Sequence, residues 1–404
     1  MKLWKKDYSL DTRIEKFTVG NDHILDLDLL EFDCKASRAH ARMLNSIGVL
    51  TEDDLSSLMA GIDEILDLHG RNEFTIREQD EDCHTAIENF LTEKCGDAGK
   101  KIHTGRSRND QVLTAIRLFE KAQMREIGEL LDALGESLDR VCARFGKIEM
   151  PGYTHMQRAM PTDVTMWMGS YRAAVNDDKH LLASVVEMID QCPLGTAAGF
   201  GVPVLDLDRE MTSKELGFAR VMENPMYAQM SRGKFEAIII GACTSIMADL
   251  NKLASDLTLY NMGEFGLLSL PDKVCTGSSI MPQKRNPDVL ELIRAKYHVV
   301  LGEEMKVKSL ISNLISGYNR DIQLTKEPIF TAIETTKSCL DITAFVLDGM
   351  TIDEEACKAA LTDELYATEK AYELVKRGVP FREAYRIAAN TDAYKKATRS
   401  TGDK

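Results

Sequence analysis

Residues 112–145 place apolar side chains at Ile116, Phe119, Ile127, Leu130, Leu134, Leu138, Val141 and Phe145. Those spacings keep one stripe on one face of a helix for roughly nine turns. Similar patterns run through about 162–190, 232–262, 288–314 and 327–348, while the alternation of a half-buried strand is nearly missing. Each of these segments exceeds the average globular helix of about 11–12 residues. A helix with a single apolar stripe must bury it against other helices, so the pattern predicts an all-α chain built around a five-helix bundle. Before residue 105 the helices read as shorter, with 52–68 the clearest, and no proline occurs in the first 150 residues. Short helices return near 352–361, 363–377 and 380–390, and the polar tail from 389 to 404 is expected to fray. Three domains follow: 1–105, a central long-helix domain 106–350, and a short C-terminal helical domain 351–404.

Charge and motif content exclude several function classes. With 50 Lys and Arg against 64 Asp and Glu, the net charge of −14 argues against nucleic acid or an anionic membrane as partner. The start, MKLWKKDYSLDTR, is positive but lacks the apolar core of a secretory signal. No uninterrupted apolar run approaches the roughly 20 residues of a membrane span. Nine scattered cysteines without a C-x-x-C pair suit reduced thiols in the cytoplasm better than a disulfide frame. Eight dispersed histidines give no metal-ligand spacing, and neither a G-x-G-x-x-G turn nor a P-loop occurs, so no metal and no nucleotide cofactor is expected.

Polar residues concentrate instead at predicted helix starts. Gly277-Ser278-Ser279-Ile280-Met281-Pro282-Gln283-Lys284-Arg285-Asn286-Pro287-Asp288 joins two hydroxyls, two cations, an amide and a carboxylate. Asn286 reads as an N-cap and Pro287 as a first helical residue, and free N–H groups beside Lys284 and Arg285 would attract an anion. His103-Thr104-Gly105-Arg106-Ser107-Arg108-Asn109-Asp110-Gln111 leads into the 112–145 helix. Pro151-Gly152-Tyr153-Thr154-His155-Met156-Gln157-Arg158 precedes a helix predicted to begin near Pro161. A fourth cluster, residues 316–327, offers Tyr318, Gln323 and Lys326. Helices beginning near 110 and 161 are joined by a short connection and should run antiparallel, their N-termini some 40–50 Å apart. Clusters at both ends can serve one ligand only across subunits, which predicts an obligate oligomer.

HTGRSRNDQ at 103–111, PGYTHMQRA at 151–159 and TGSSIMPQKRNPD at 276–288 resemble the argininosuccinate lyase branch of the fumarase/aspartase superfamily. The likeness runs from Leu3-Trp4 to the PFREAY segment at 380–385. It implies a three-domain fumarase/aspartase-like fold, a homotetramer whose bundles form a twenty-helix core, and sites drawing on three subunits. The implied reaction is reversible elimination of argininosuccinate to arginine and fumarate, without metal or organic cofactor. Adenylosuccinate lyase, which shares part of the 276–288 block, or a non-catalytic crystallin-like homologue are the rival readings.

The resemblance assigns roles residue by residue. Ser278 matches the catalytic general base, with Lys284 supplying positive charge for its alkoxide. His155 matches the family histidine and Glu291 its carboxylate partner. Lys284 and Asn286, joined by Ser107, Arg108, Asn109 and Thr154, match the groups that hold the succinyl carboxylates. Tyr318, Gln323 and Lys326 match those that hold the arginine moiety. Two departures stand out: Leu3-Trp4-Lys5-Lys6-Asp7-Tyr8 replaces the usual L-W-G-G-R-F opening, and Asp22 stands where a substrate-contacting serine is common. Family chains also commonly continue beyond a PFREAY-like segment, whereas this one stops at Lys404.

Overall fold

The computed structural model describes residues 11–390 and 392–395; the LWKKDY opening and most of the polar tail lie outside them. Five long helices form where the periodicity places them: α1 Arg108–Phe145, α2 Val164–Ile189, α3 Lys234–Tyr260, α4 Asp288–Leu310 and α5 Lys326–Gly349. Bounds differ from the expectation by a few residues, the uncertainty inherent in fraying ends. The α1 stripe is buried at Ile116, Phe119, Ile127, Leu134, Leu138 and Val141, with Leu131 rather than Leu130 completing it. At 38 residues, α1 alone is about 57 Å long.

Two expectations near helix starts are corrected. The helix expected from Pro161 begins at Val164, because Glu149–Thr154 (β1) and Gln157–Asp163 (β2) pair as an antiparallel hairpin. Asn286 does not cap α4. It lies in Arg285–Asn286 (β4), paired with Thr276–Gly277 (β3), and its side-chain N–H bonds the Gly277 carbonyl at 3.3 Å. Pro287 takes the cap position, its carbonyl accepting from the N–H of Leu290 at 2.9 Å.

The chain divides into two compact units. Residues 11–128, 180–244 and 299–336 form the first. Its core joins Leu30–Ser46, Glu52–Gly70 and Cys83–Cys95 through buried Leu44, Leu58, Ile62, Ile65, Ile87 and Leu91. Thr51 and Asp54 form a reciprocal capping box at the start of the second of these helices. Gly99 packs so close to Leu91 that a Cβ there would lie 2.3 Å from the Leu91 carbonyl oxygen. Phe119 stacks edge-on against Phe32 at 5.8 Å and Phe330 at 4.8 Å, linking α1 and α5 to the helix of Leu30.

Residues 129–179, 245–298 and 337 onward form the second unit. Here Leu131, Leu134 and Leu138 of α1 meet Val175 of α2 and Ile246, Leu250 and Leu253 of α3. Tyr153, Trp167, Tyr260 and Phe265 form an aromatic cluster with centroids 5.1–6.3 Å apart, which anchors the β1–β2 hairpin to α2 and α3. The helices Glu354–Ala360, Ala367–Lys376 and Phe381–Ala388 complete this unit. Among the described residues α3 is the one helix long and apolar enough to cross a membrane, but more than half of its apolar stretch is buried within the protein. It is a core helix.

Candidate active site

Local chemistry builds the start of α1. Ser107 Oγ accepts the N–H of Asn109 at 3.3 Å, and Asp110 Oδ1 accepts the N–H of Ser107 at 2.9 Å. The serine and aspartate thus cap the helix reciprocally. Asp110 is fully buried, and its other oxygen accepts the N–H groups of Gly195 (3.0 Å) and Ala197 (2.9 Å). Held in this way, Arg108 and Asn109 line a cavity of about 160 Å3 in the first unit. Tyr318, Gln323 and Lys326 line it too, so five of the residues singled out from sequence converge there.

Each cation in the wall has its own surroundings. Arg108 donates through Nε to Asp82 (2.7 Å) and through Nη1 to Glu81 (2.9 Å). Glu81 adopts φ +70°, a left-handed conformation unusual for a side chain with a Cβ. Lys326 is almost fully buried and lies 2.6 Å from Asp26 and 3.2 Å from Asp22. Burial opposes its charge, yet the two aspartates outweigh burial and hold the ammonium above its usual range. On Asp22 burial is the stronger influence and pushes the carboxyl up despite Lys326. Asp22 therefore answers the lysine from the cavity wall. Gln323 donates to the carbonyls of Thr18 (3.1 Å) and Val19 (3.2 Å) and accepts from Arg320 (2.9 Å), tying the helix Thr12–Val19 to the cavity wall.

Three wall residues escaped the sequence reading: Asp82, His84 and Arg232. Asp82 caps the helix Cys83–Cys95 through the N–H of Thr85 at 2.9 Å. Burial would raise its carboxyl, but His84 and Arg108 hold it below the usual carboxylate range. His84 Nδ1 makes a short bond to the Asp33 carboxylate, while the buried Nε2 has no partner. Burial disfavours the imidazolium, but Asp33, Asp82 and Asp26 together raise its pKa. The acid run Glu78-Gln79-Asp80-Glu81-Asp82 ahead of Cys83-His84 was the available signal: a capped helix start carrying a histidine on its first turn.

The same region contains a trio with metal-ligating atoms, Asp26, Cys83 and His84, within 4.8 Å of one another. Lys326 already neutralises Asp26, and the Cys83 thiol is pushed well up by burial and by the nearby aspartates. A thiol kept protonated is a poor ligand, so the trio suits an internal charge network better than a metal.

The second unit carries the other candidates. Thr154↔Gln157 pairing leaves His155-Met156 as a two-residue turn with φ +53° and +60°. Both central residues being left-handed makes this a type I′ hairpin turn, normally filled by Asn-Gly. Side chains with a Cβ pay strain there, of order 1 kcal/mol or more each, and the strain displays His155 at an exposed tip beside Thr154. Ser278 and Lys284 occupy the loop closed by the β3–β4 pairing. Ser278 Oγ accepts the N–H groups of Ile280 (3.4 Å) and Met281 (3.2 Å). Glu291 lies on the first turn of α4. His155, Lys284 and Glu291 are all solvent-exposed, and among the described residues no hydrogen bond or ion pair joins His155 to Glu291.

Comparison with known proteins locates these features in a lineage. The family described as Lyase matches residues 6–302. The argininosuccinate lyase of Thermotoga neapolitana is 50% identical over 388 residues, spanning 96% of this chain and 97% of that protein. The argininosuccinate lyase of Sorangium cellulosum is 43% identical over 389 residues, 96% of this chain and 90% of that one. Among solved structures, a class II fumarase from Schistosoma mansoni superposes with a TM-score of 0.81 over 94% of this chain and 88% of its own. At 16% identity, that likeness speaks for the fold alone.

Proposed function

This chain belongs to the argininosuccinate lyase family, and from that premise we propose that it eliminates argininosuccinate reversibly to arginine and fumarate, the last step of arginine biosynthesis. The observation that carries the reading is the cavity walled by Arg108, Asn109, Tyr318, Gln323 and Lys326. The reading pairs it, across subunits, with the exposed loop that carries Ser278 and Lys284.

The chemistry demands such a pairing. Removing a proton beside the succinyl carboxylate places a second negative charge on that carboxylate, so the site must stabilise a dianion. Ser278 is the general base. Its Oγ accepts two backbone N–H groups, and bonds to the charged form lower the cost of the alkoxide. Lys284 on the same loop adds positive charge. Lys284 and Asn286, with Ser107, Arg108, Asn109 and Thr154, hold the succinyl carboxylates. His155, oriented by Glu291, protonates the departing guanidinium nitrogen. Tyr318, Gln323 and Lys326 hold the arginine half.

We further propose a homotetramer in which each site takes residues from several subunits, the bundles forming a twenty-helix core. Two features support it. The 103–111 cluster and the 149–163 hairpin flank α1, whose own ends lie about 57 Å apart. Exposed apolar side chains also recur along the long helices, at Met166 and Met188 of α2, Leu292 and Met305 of α4, and Phe345 of α5. Such surfaces call for a partner of like chemistry. The domain division 1–105, 106–350 and 351–404 belongs to the same reading, as does a cytoplasmic location, with which nine free thiols agree.

The test is fumarate release, followed by ultraviolet absorbance, with argininosuccinate as substrate and adenylosuccinate and aspartate as controls. Release from argininosuccinate alone is expected. Release only from a control moves the specificity, and silence with all three from folded protein refutes the catalytic reading.

A further inference from the structure

We propose that Arg232 receives the carboxylate of the amino-acid half of the substrate. This rests on the reading above, in which the first unit's cavity takes the arginine half.

Lys326, His84 and Arg232 are the most deeply buried basic groups of the cavity wall, 3%, 4% and 5% exposed, and His84 is answered by Asp33. Lys326 has two aspartates; Arg232 has no carboxylate at ion-pair distance among the described residues, and its Nη1 has no hydrogen-bond partner. A guanidinium stays charged even when buried, so an unpaired one is destabilising until an anion arrives. Its planar fork matches a carboxylate better than any other group. The cavity's own carboxylates, Asp22 and Asp82, already answer Lys326 and Arg108. Arg232 also lies over the Tyr318 ring, 5.3 Å from its centroid, which fixes the plane of the guanidinium.

The experiment compares arginine with agmatine, its decarboxylated analogue, as inhibitors of fumarate release by the wild-type tetramer. Arginine should bind at least about tenfold tighter, since a site built for a polar group rejects the analogue lacking it. In Arg232→Met that preference should vanish. Equal binding of agmatine and arginine by the wild type overturns the proposal without any variant, as does an undiminished preference in Arg232→Met. Should the wild type release no fumarate, the functional reading fails separately, and calorimetry with the two ligands still decides the role of Arg232.

Discussion

Replacing Asp33 by Asn tests the internal charge network directly. Asp33 and His84 are 1% and 4% exposed and share a short bond. Burial favours the neutral form of each, but the partner overrides it: Asp33 is held below the carboxylate range and His84 above the usual imidazole value. Removing one member of a buried pair leaves the other uncompensated, at a cost of roughly 3–5 kcal/mol. With an unfolding entropy of about 2.1 cal/mol/K per residue, 404 residues give about 0.85 kcal/mol/K. If the chain unfolds as one unit, Tm should fall by about 4–6 °C. The sign with pH follows from linkage. The raised His84 pKa contributes stability in full below the unfolded value of about 6.5, lost as pH climbs through the folded value. The depressed Asp33 pKa contributes stability above about 3.9, lost as pH falls through the folded value. The pair is therefore strongest between about pH 4 and 6.5 and weakens on the alkaline side. Calorimetric melts of both proteins from pH 6 to 9 should show an alkaline decline in the wild type that flattens in Asp33→Asn. A variant melting within about 1 °C of wild type at pH 6.5 refutes the assignment of these groups as a charged pair.

Ser278→Ala should lower turnover by about 10²–10⁴-fold, the usual weight of a general base, with arginine binding by calorimetry unchanged; near-normal turnover excludes Ser278 as the base. If sites are shared between subunits as proposed, assemblies mixed from Ser278→Ala and His155→Asn chains should regain part of the wild-type rate, and verified mixed assemblies that stay silent count against that sharing. Gly99→Ala must move backbone, because its Cβ would lie 2.3 Å from the Leu91 oxygen; a loss of about 1–3 kcal/mol in denaturant unfolding is expected. Arg140 makes two 2.9 Å bonds to Asp348 with both side chains about half exposed, so Arg140→Ala should cost under about 1 kcal/mol in the same assay.

What the sequence disclosed and what it withheld divide along a physical line. The long helices were legible because their burial repeats every three or four residues: Leu134, Leu138 and Val141 announce a buried face without reference to any partner. The β1–β2 hairpin was not, since it pairs Pro151 with Pro161 and turns through His155-Met156. Neither strand alternates, and neither turn residue is the glycine or asparagine that left-handed φ normally selects. Misreading Asn286 as a cap had a similar origin, for Asn-Pro before an apolar run is a good helix start until β3, nine or ten residues earlier, claims the asparagine. The cavity wall was legible only where it coincided with a motif. Arg108 and Lys326 stood in recognisable blocks, whereas His84 and Arg232 of the wall, and Asp33 behind His84, come from separate segments, and each is ordinary in its local context. A buried ion pair has no sequence period. Its members are specified by the cost of leaving either one alone, and that cost exists only after the fold has removed water from both. Residues of this kind, which no local pattern selects, are where substitution should reveal most about how the cavity holds its charge.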